Sequence, residues 1–156
     1  PDGSLVVAEL GTGSLVQLSG PEYKSKRVLA KGLAAPVGLV AAKGGFYVTE
    51  SASGVVSRVE ADGRTQPIAK GLRLPEGIAL APDGRLIVVE AGAQRIVSID
   101  PGSGAVSVIA ERLPIGVAGV PGVPPSFIPT GVGVGSDGTI YFSSDVENAL
   151  YRIVRR

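Results

Sequence analysis

The chain has 156 residues and a net charge of +1, from 15 basic and 14 acidic side chains, and 44% of its residues are hydrophobic. It contains no Cys and no His, which excludes disulfides, thiolate zinc sites and a Ser-His-Asp triad built from this chain alone. The balanced charge predicts no nucleic-acid partner and no membrane partner, and we interpret the cluster of Arg152, Arg155 and Arg156 as a solvated terminus.

Gly and Pro are abundant, with 23 and 12 residues respectively. Without a three-residue period, this content indicates many turns between short strands. No apolar run approaches the roughly 20 residues of a membrane span. The absence of Cys does not fix the compartment, so localisation stays unknown; we expect a soluble protein, with secretion or a periplasmic location left open.

A unit of about 40 residues repeats along the chain and predicts the blades of a β-propeller. Each unit contains a Gly turn, a β-branched and apolar run, and then a carboxylate. The four copies span Pro1–Glu9, Lys43–Glu50, Pro82–Glu90 and Ser136–Asp145. Their turn residues are Gly3, Gly44, Gly84 and Gly138, which are 41, 40 and 54 residues apart. The last spacing therefore contains an insertion.

Further strands flank each Gly turn, and the predicted fold class is all-β with blades of four antiparallel strands. First strands with the pattern Pro-x-Gly begin at Pro36, Pro75 and Pro129. Third strands begin at Ser14, Val55, Arg95 and Ala149, and fourth strands at Arg27, Pro67 and Ser107. This pattern divides the chain into blades at about 1–35, 36–74, 75–113 and 129–156, with a Pro- and Gly-rich insertion at 114–128.

The predicted arc is incomplete, because the first blade lacks its first strand and the last blade lacks its fourth. An isolated arc leaves two apolar blade faces in water. We therefore expect a homodimer, in which a second copy closes the propeller to six or seven blades. The alternative is a different sequence that supplies the other half. The terminal residues expected to include solvent-facing ones are Val6, Leu15, Val16, Leu18, Ile140, Tyr141, Leu150 and Ile153.

The motifs resemble those of known propellers. The segment from Pro75 to Glu90, PEGIALAPDGRLIVVE, resembles the repeat of NHL propellers and of the SMP-30/gluconolactonase family. The segment that begins at Asp145 and contains Asn148 and Ile153 resembles the NHL signature Asp-x-x-Asn-x-x-x-x-Ile. The resemblance covers nearly the whole chain except 114–128. It implies the fold but little about function, since this fold contains enzymes, scaffolds and binding proteins alike.

A carboxylate recurs at the end of the second strand of every unit, at Glu9, Glu50, Glu90 and Asp145. One interpretation is a ring of acids that holds a cation such as Ca²⁺. The other is structural: each carboxylate accepts hydrogen bonds from loop N–H groups or pairs with Arg58, Arg95 or Arg152. We favour the structural interpretation, because a feature repeated in every blade belongs to the architecture of the blade.

Glu76 is the candidate metal ligand. It precedes the Gly of a first strand, where the resemblance to SMP-30-like lactonases implies a residue that binds the central metal. The equivalent residues, Val37 and Thr130, are candidates for lining the same cavity but are poor ligands. Hard cations take about six oxygens, so one carboxylate does not make a site. The alternative is a solvent-exposed loop carboxylate at the cavity mouth.

The insertion at 114–128 has two interpretations. It shapes a binding mouth, or it packs against a neighbouring blade or a partner subunit and buries Val120, Val123 and Phe127. Because Pro restricts the chain, we expect the insertion to be ordered against another surface.

Two functions remain. The favoured one is a non-catalytic β-propeller scaffold or binding module whose ligand is unknown, with a small molecule among the candidates. The alternative is a metal-dependent lactonase or hydrolase of the SMP-30/gluconolactonase kind, in which a divalent cation, Ca²⁺ or Zn²⁺, polarises a carbonyl. The alternative needs a set of cavity ligands, and the sequence offers one plausible member. No cofactor is otherwise expected.

Overall fold

The computed structural model describes residues 3–116 and 129–154. These residues form fourteen strands in four antiparallel sheets, and their only helical elements are single 3₁₀ turns at Pro21–Tyr23 and Ala91–Ala93. The all-β prediction is therefore confirmed. Within the same ranges no helix has the length and apolar character that crossing a membrane requires. Most of the predicted insertion, including Val120, Val123 and Phe127, lies outside the described residues.

Each sheet is a simple meander of neighbouring strands, and we number the sheets as blades 1 to 4. Blade 1 contains β1 (Leu5–Glu9), β2 (Ser14–Ser19) and β3 (Ser25–Ala30). Blade 2 contains β4 (Pro36–Ala42), β5 (Gly45–Glu50), β6 (Val55–Glu60) and β7 (Thr65–Ala69). Blade 3 contains β8 (Pro75–Leu80), β9 (Leu86–Glu90), β10 (Arg95–Ile99) and β11 (Val106–Glu111). Blade 4 contains β12 (Val132–Val134), β13 (Ile140–Ser144) and β14 (Ala149–Ile153).

The middle strands of blade 3 show why the sequence is so rich in Val, Ile and Leu. All five residues of β9 are buried, because this strand has a neighbouring blade on each of its two faces. A strand that is covered on both faces reads as a continuous apolar run rather than an alternating one. The run ends at Glu90, whose side chain is completely buried and hydrogen-bonded.

Strand register gives a residue-by-residue correspondence between the blades. The second and third strands end on the pairs Glu9–Ser14, Glu50–Val55, Glu90–Arg95 and Ser144–Ala149. By this register Ser144, not Asp145, occupies the position of the three glutamates. Asp145 follows one residue later, in the loop between β13 and β14.

Three apolar cores lie between successive blades. Leu15 and Val48 belong to the core between blades 1 and 2, and Ile140 belongs to the core between blades 3 and 4. This position explains why Leu15 and Ile140 are buried although both are on terminal blades. Val16 is also buried, in the central strand of its sheet between Val7 and Val28. The terminal faces instead expose the residues Leu5, Val7, Val28, Tyr141 and Leu150.

Candidate functional site

The first strands β4, β8 and β12 lie side by side at one edge of blades 2, 3 and 4. Gly77 N donates a hydrogen bond to Thr130 O at 3.0 Å, which joins β8 to the segment that leads into β12. A Cβ atom at Gly38 would lie 2.2 Å from Glu76 O, and one at Gly77 would lie 2.6 Å from Thr130 O. In blades 2 and 3 the Gly of Pro-x-Gly is therefore required, because the main chains of successive blades touch there.

Glu76 lies in this zone of contact and is partly buried. Its Oε2 accepts a hydrogen bond of 2.6 Å from the backbone N–H of Thr130. Burial raises the pKa of the Glu76 carboxyl, hydrogen bonding to Thr130 lowers it in part, and the negative charge of Asp145 raises it further. The side chain thus joins blade 3 to blade 4, and the fold places it near a second acid.

The other two predicted cavity residues add no obvious ligand. Val37 is partly buried and Thr130 is buried. The hydroxyl of Thr130 makes no hydrogen bond of good geometry with the atoms that the structure describes. In residues 3–116 and 129–154 there is no group of three or more acidic, His or Cys side chains placed to hold a metal ion. Glu76 and Asp145 are therefore a pair without a third acid among those residues.

Thr49 performs a role that the sequence analysis missed. Its Oγ1 accepts a hydrogen bond from Gly38 N at 2.7 Å and donates one to Glu76 O at 2.6 Å. At the same register in blade 4, Ser143 Oγ accepts a hydrogen bond from Gly131 N at 2.8 Å. The signal was a hydroxyl residue one position before the end of the second strand, in two of the four units.

Glu50, Glu90 and the loop residue Asp145 each accept the same kind of hydrogen bond in blades 2, 3 and 4. Each accepts the backbone N–H of a residue in the segment that leads into its own blade. The pairs are Ala34 N with Glu50 at 2.8 Å, Arg73 N with Glu90 at 2.8 Å, and Gly116 N with Asp145 at 2.9 Å. Such bonds agree with the structural interpretation, in which each acid accepts hydrogen bonds from loop N–H groups. That interpretation stays a prediction.

The arginines named as partners behave differently from one another. Arg95 Nε lies 2.7 Å from Glu90 Oε2 and completes the environment of that buried carboxylate. Arg58 pairs instead with Glu60 at 3.2 Å, and its guanidinium lies 4.8 Å from the centre of the Tyr47 ring.

Glu9 differs from its counterparts because blade 1 is terminal. Its carboxylate accepts hydrogen bonds from Lys26 Nζ at 2.7 Å and Thr12 Oγ1 at 2.9 Å. These two hydrogen bonds lower the pKa of the Glu9 carboxyl. The same position in the repeat is thus an exposed ion pair in blade 1 and a buried acceptor in blade 3.

An open groove runs beside β1, at the edge where the described part of blade 1 has no first strand. It has a volume of about 600 Å³ and is lined mainly by apolar side chains and Gly residues of blades 1 and 2. Leu5, Val6, Leu39 and Phe46 contribute most of its apolar side chains. Such a groove suits an apolar ligand better than a charged one.

The chain resembles several solved structures over almost its whole length. A catalytically inactive virginiamycin B lyase from Staphylococcus aureus, solved with quinupristin, is 19% identical, with 98% of this chain and 49% of that chain covered and a TM-score of 0.72. A chain of a nidogen–laminin complex is 17% identical, with coverages of 96% and 56% and a TM-score of 0.72. The fold is that of a β-propeller.

A protein provisionally assigned as a gluconolactonase is 17% identical, with coverages of 97% and 57% and a TM-score of 0.74. No protein-family profile matches the chain, and no curated protein sequence matches it. At these identities the likeness establishes the fold alone. The chain spans about half the length of the propellers it matches, so it forms an incomplete arc of blades, as the repeat count predicted.

Proposed function

We propose that this chain is a non-catalytic β-propeller scaffold or binding module, complete when two copies form a ring. The observation that supports it is the use of the candidate acids. Glu50, Glu76, Glu90 and Asp145 all accept backbone N–H groups of the same chain. A carboxylate oxygen engaged in this way stabilises the packing of the blades and has less capacity for a cation.

The alternative, a metal-dependent lactonase or hydrolase, is supported by one observation. Glu76 has a raised pKa and is close enough to Asp145 for their charges to repel. A cation between two such acids would relieve that repulsion. Since a hard cation takes about six oxygens, two carboxylates that already accept backbone hydrogen bonds support the scaffold more strongly than the hydrolase.

Metal addition separates the two functions. We expect Ca²⁺ or Zn²⁺ to change the melting temperature of the purified 156-residue chain little, whereas an ion at 100 times its Kd would add about 2.7 kcal/mol to the free energy of unfolding. We also expect no metal-dependent hydrolysis of a simple lactone. A saturable rise in melting temperature, absent in Glu76→Gln and accompanied by lactone hydrolysis, would overturn the scaffold in favour of the enzyme.

The two-copy ring is supported by the extent of the arc. Because the chain covers 49–57% of the propellers reported above, two arcs of this size span one ring. A strict two-fold axis requires an even number of sheets: eight if all four sheets of each copy stay separate, or six if the terminal sheets merge at each junction. We expect a mass in solution of twice the 15.7 kDa of one chain. A single-chain mass at micromolar concentration would contradict the ring.

A further inference from the structure

We infer that blade 4 of one copy packs against blade 1 of a second copy by reproducing the interface that blades 2 and 3 form within the chain. This pairing rests on the proposed two-copy ring, specifies which surfaces meet in it, and corresponds to the form in which all four sheets of each copy stay separate. Strand register equates positions in different blades without reference to their side chains.

The outward face of blade 4 is equivalent, position by position, to the face that blade 2 presents to blade 3. In blade 4 the side chains of Ile140 and Phe142 pack toward blade 3, so the alternate residues point the other way. Register places these alternate residues at positions already packed in blade 2. The equivalences are Tyr141 with Tyr47, Ser143 with Thr49, Leu150 with Val56, and Arg152 with Arg58.

The outward face of blade 1 is equivalent, position by position, to the face that blade 3 presents to blade 2. In blade 1 the side chains of Ala8 and Leu15 pack toward blade 2, so the alternate residues point outward. Their equivalents in blade 3 belong to the core between blades 2 and 3. The equivalences are Leu5 with Leu86, Val7 with Val88, Val16 with Val97, and Leu18 with Ile99.

Burial shows that these terminal faces are uncovered among the described residues at Leu5 and Leu150, whereas Val16 is already buried within its own sheet. Leu86 and Val56 are 0% exposed in the internal interface, whereas Leu5 and Leu150 at the equivalent terminal positions are 48% and 74% exposed. The two terminal faces are thus complementary halves of an interface whose packed form the same molecule contains. A second copy of this chain supplies the matching half at both ends.

The proposed junction between blade 4 and blade 1 is smaller than the internal interface between blades 2 and 3. Among residues 3–116 and 129–154, blade 1 has no counterpart of β8, whose Ile78 belongs to the internal core. In the same ranges blade 4 has no counterpart of β7, which contributes Ala69 and the partly buried Ile68 to that core. The junction between copies therefore uses the two middle strands of each blade and is weaker than the internal interface.

Cross-linking between single-cysteine variants tests the pairing. The chain has no Cys, so Leu150→Cys and Val7→Cys each introduce one exposed thiol. Packed sheets lie about 10 Å apart, and a bismaleimide of that reach can join the two thiols across a junction. We expect a covalent dimer when the two variants are mixed and equilibrated, and none when either variant is treated alone.

Charge substitutions provide a second measurement by light scattering. Leu150→Lys places a charge in the junction, and we expect the dimer Kd to weaken by about tenfold or more. The matched control is Val146→Lys, at a 50% exposed residue of the same blade that lies in a loop outside the face. We expect this control to leave the Kd unchanged. Equal weakening by both variants would overturn the pairing.

The outcomes distinguish the pairing from the ring. A cross-link in Leu150→Cys alone would place blade 4 against blade 4 and overturn the pairing. A two-chain mass without the mixed cross-link would overturn the pairing and leave the ring. A series of larger species with the mixed cross-link would support the pairing and overturn the closed ring. A single-chain mass for the unmodified protein would overturn both.

Discussion

Blades 2 and 3 differ from blades 1 and 4 in environment more than in sequence. Leu5 and Leu86 occupy the same position of the repeat, yet Leu5 is 48% exposed and Leu86 is fully buried. The repeat therefore specifies which strand a residue belongs to and which face it lies on. The neighbouring blade then determines whether that face is buried, and so how much the residue stabilises the fold.

The acids at the strand ends give the same comparison for polar groups. Glu90 is completely buried, with Arg95 and the backbone N–H of Arg73 as its donors. Glu9 forms a solvent-exposed pair with Lys26. The same residue type at the same repeat position thus forms buried hydrogen bonds in blade 3 and a solvent-screened ion pair in blade 1.

The largest effect is expected from truncating the two equivalent leucines. Leu86→Ala should lower the free energy of unfolding by about 3 kcal/mol, because it removes a fully buried side chain and leaves a cavity. Leu5→Ala should cost less than about 0.5 kcal/mol in a single chain. Urea unfolding at two protein concentrations measures both effects.

Concentration sharpens this comparison. If a cost for Leu5→Ala appears only at the higher protein concentration, Leu5 contributes to an interface with a second chain. Equal losses for the two variants at low concentration would show that blade 1 is already covered within one chain, and the contrast between terminal and internal blades would be wrong.

A smaller difference is expected between the equivalent glutamates. Glu90→Ala should cost about 3 kcal/mol or slightly less, because it leaves Arg95 and a buried N–H group without their acceptor. Glu9→Ala should produce no resolvable change, since its ion pair is exposed. Chemical denaturation measures both, and Glu90→Gln is the control that retains the shape and one acceptor oxygen. A large loss in Glu9→Ala would contradict the comparison.

The smallest effect concerns pH and Glu76. Because burial raises the pKa of its carboxyl in the folded state, the folded state favours the protonated form. This contribution is present below the ordinary pKa of 4.5 and is lost as pH rises through the raised value. Glu76→Gln, whose amide oxygen can still accept from Thr130 N, should therefore gain stability relative to the unmodified chain between pH 4 and pH 7.

The control for the pH experiment is Glu111→Gln, at an exposed position of β11. We expect its stability relative to the unmodified chain to lack the gain predicted for Glu76→Gln. Urea midpoints at several pH values measure both variants. A relative loss of stability in Glu76→Gln as pH rises would contradict the assignment of burial as the dominant influence on this carboxyl.

The strands were predictable because their signals are local. Turn residues such as Gly44 and Gly84 recur at a near-constant spacing and take positive φ values of 79° and 83°, which Gly adopts without steric cost. The exposed residues at the ends were not predictable in detail. Leu15 was expected among candidates for exposure, but the face to which it points depends on strand register, which the repeat alone does not fix.

The candidate site was less accessible from the sequence. Glu76 was identified because the resemblance to SMP-30-like lactonases implies a metal ligand before that Gly. Its contact with Thr130, however, joins residues 54 positions apart and depends on the packing of two blades. The alignment of carboxylates concealed the equivalence of Ser144 with the glutamates, because Asp145 is an acid one residue away. Thr49 was missed because the hydroxyl before the end of the second strand recurs only at Ser143, in two of the four units, and is therefore a weak pattern.

The glycines of the first strands have a consequence for the width of a completed ring. At Gly38 and Gly77 the backbones of adjacent blades are so close that even a methyl group would collide with a carbonyl oxygen. The distance between adjacent first strands is thus set by main-chain contact rather than by side-chain size. In a closed ring the width of the central channel would then follow from this spacing and from the number of blades.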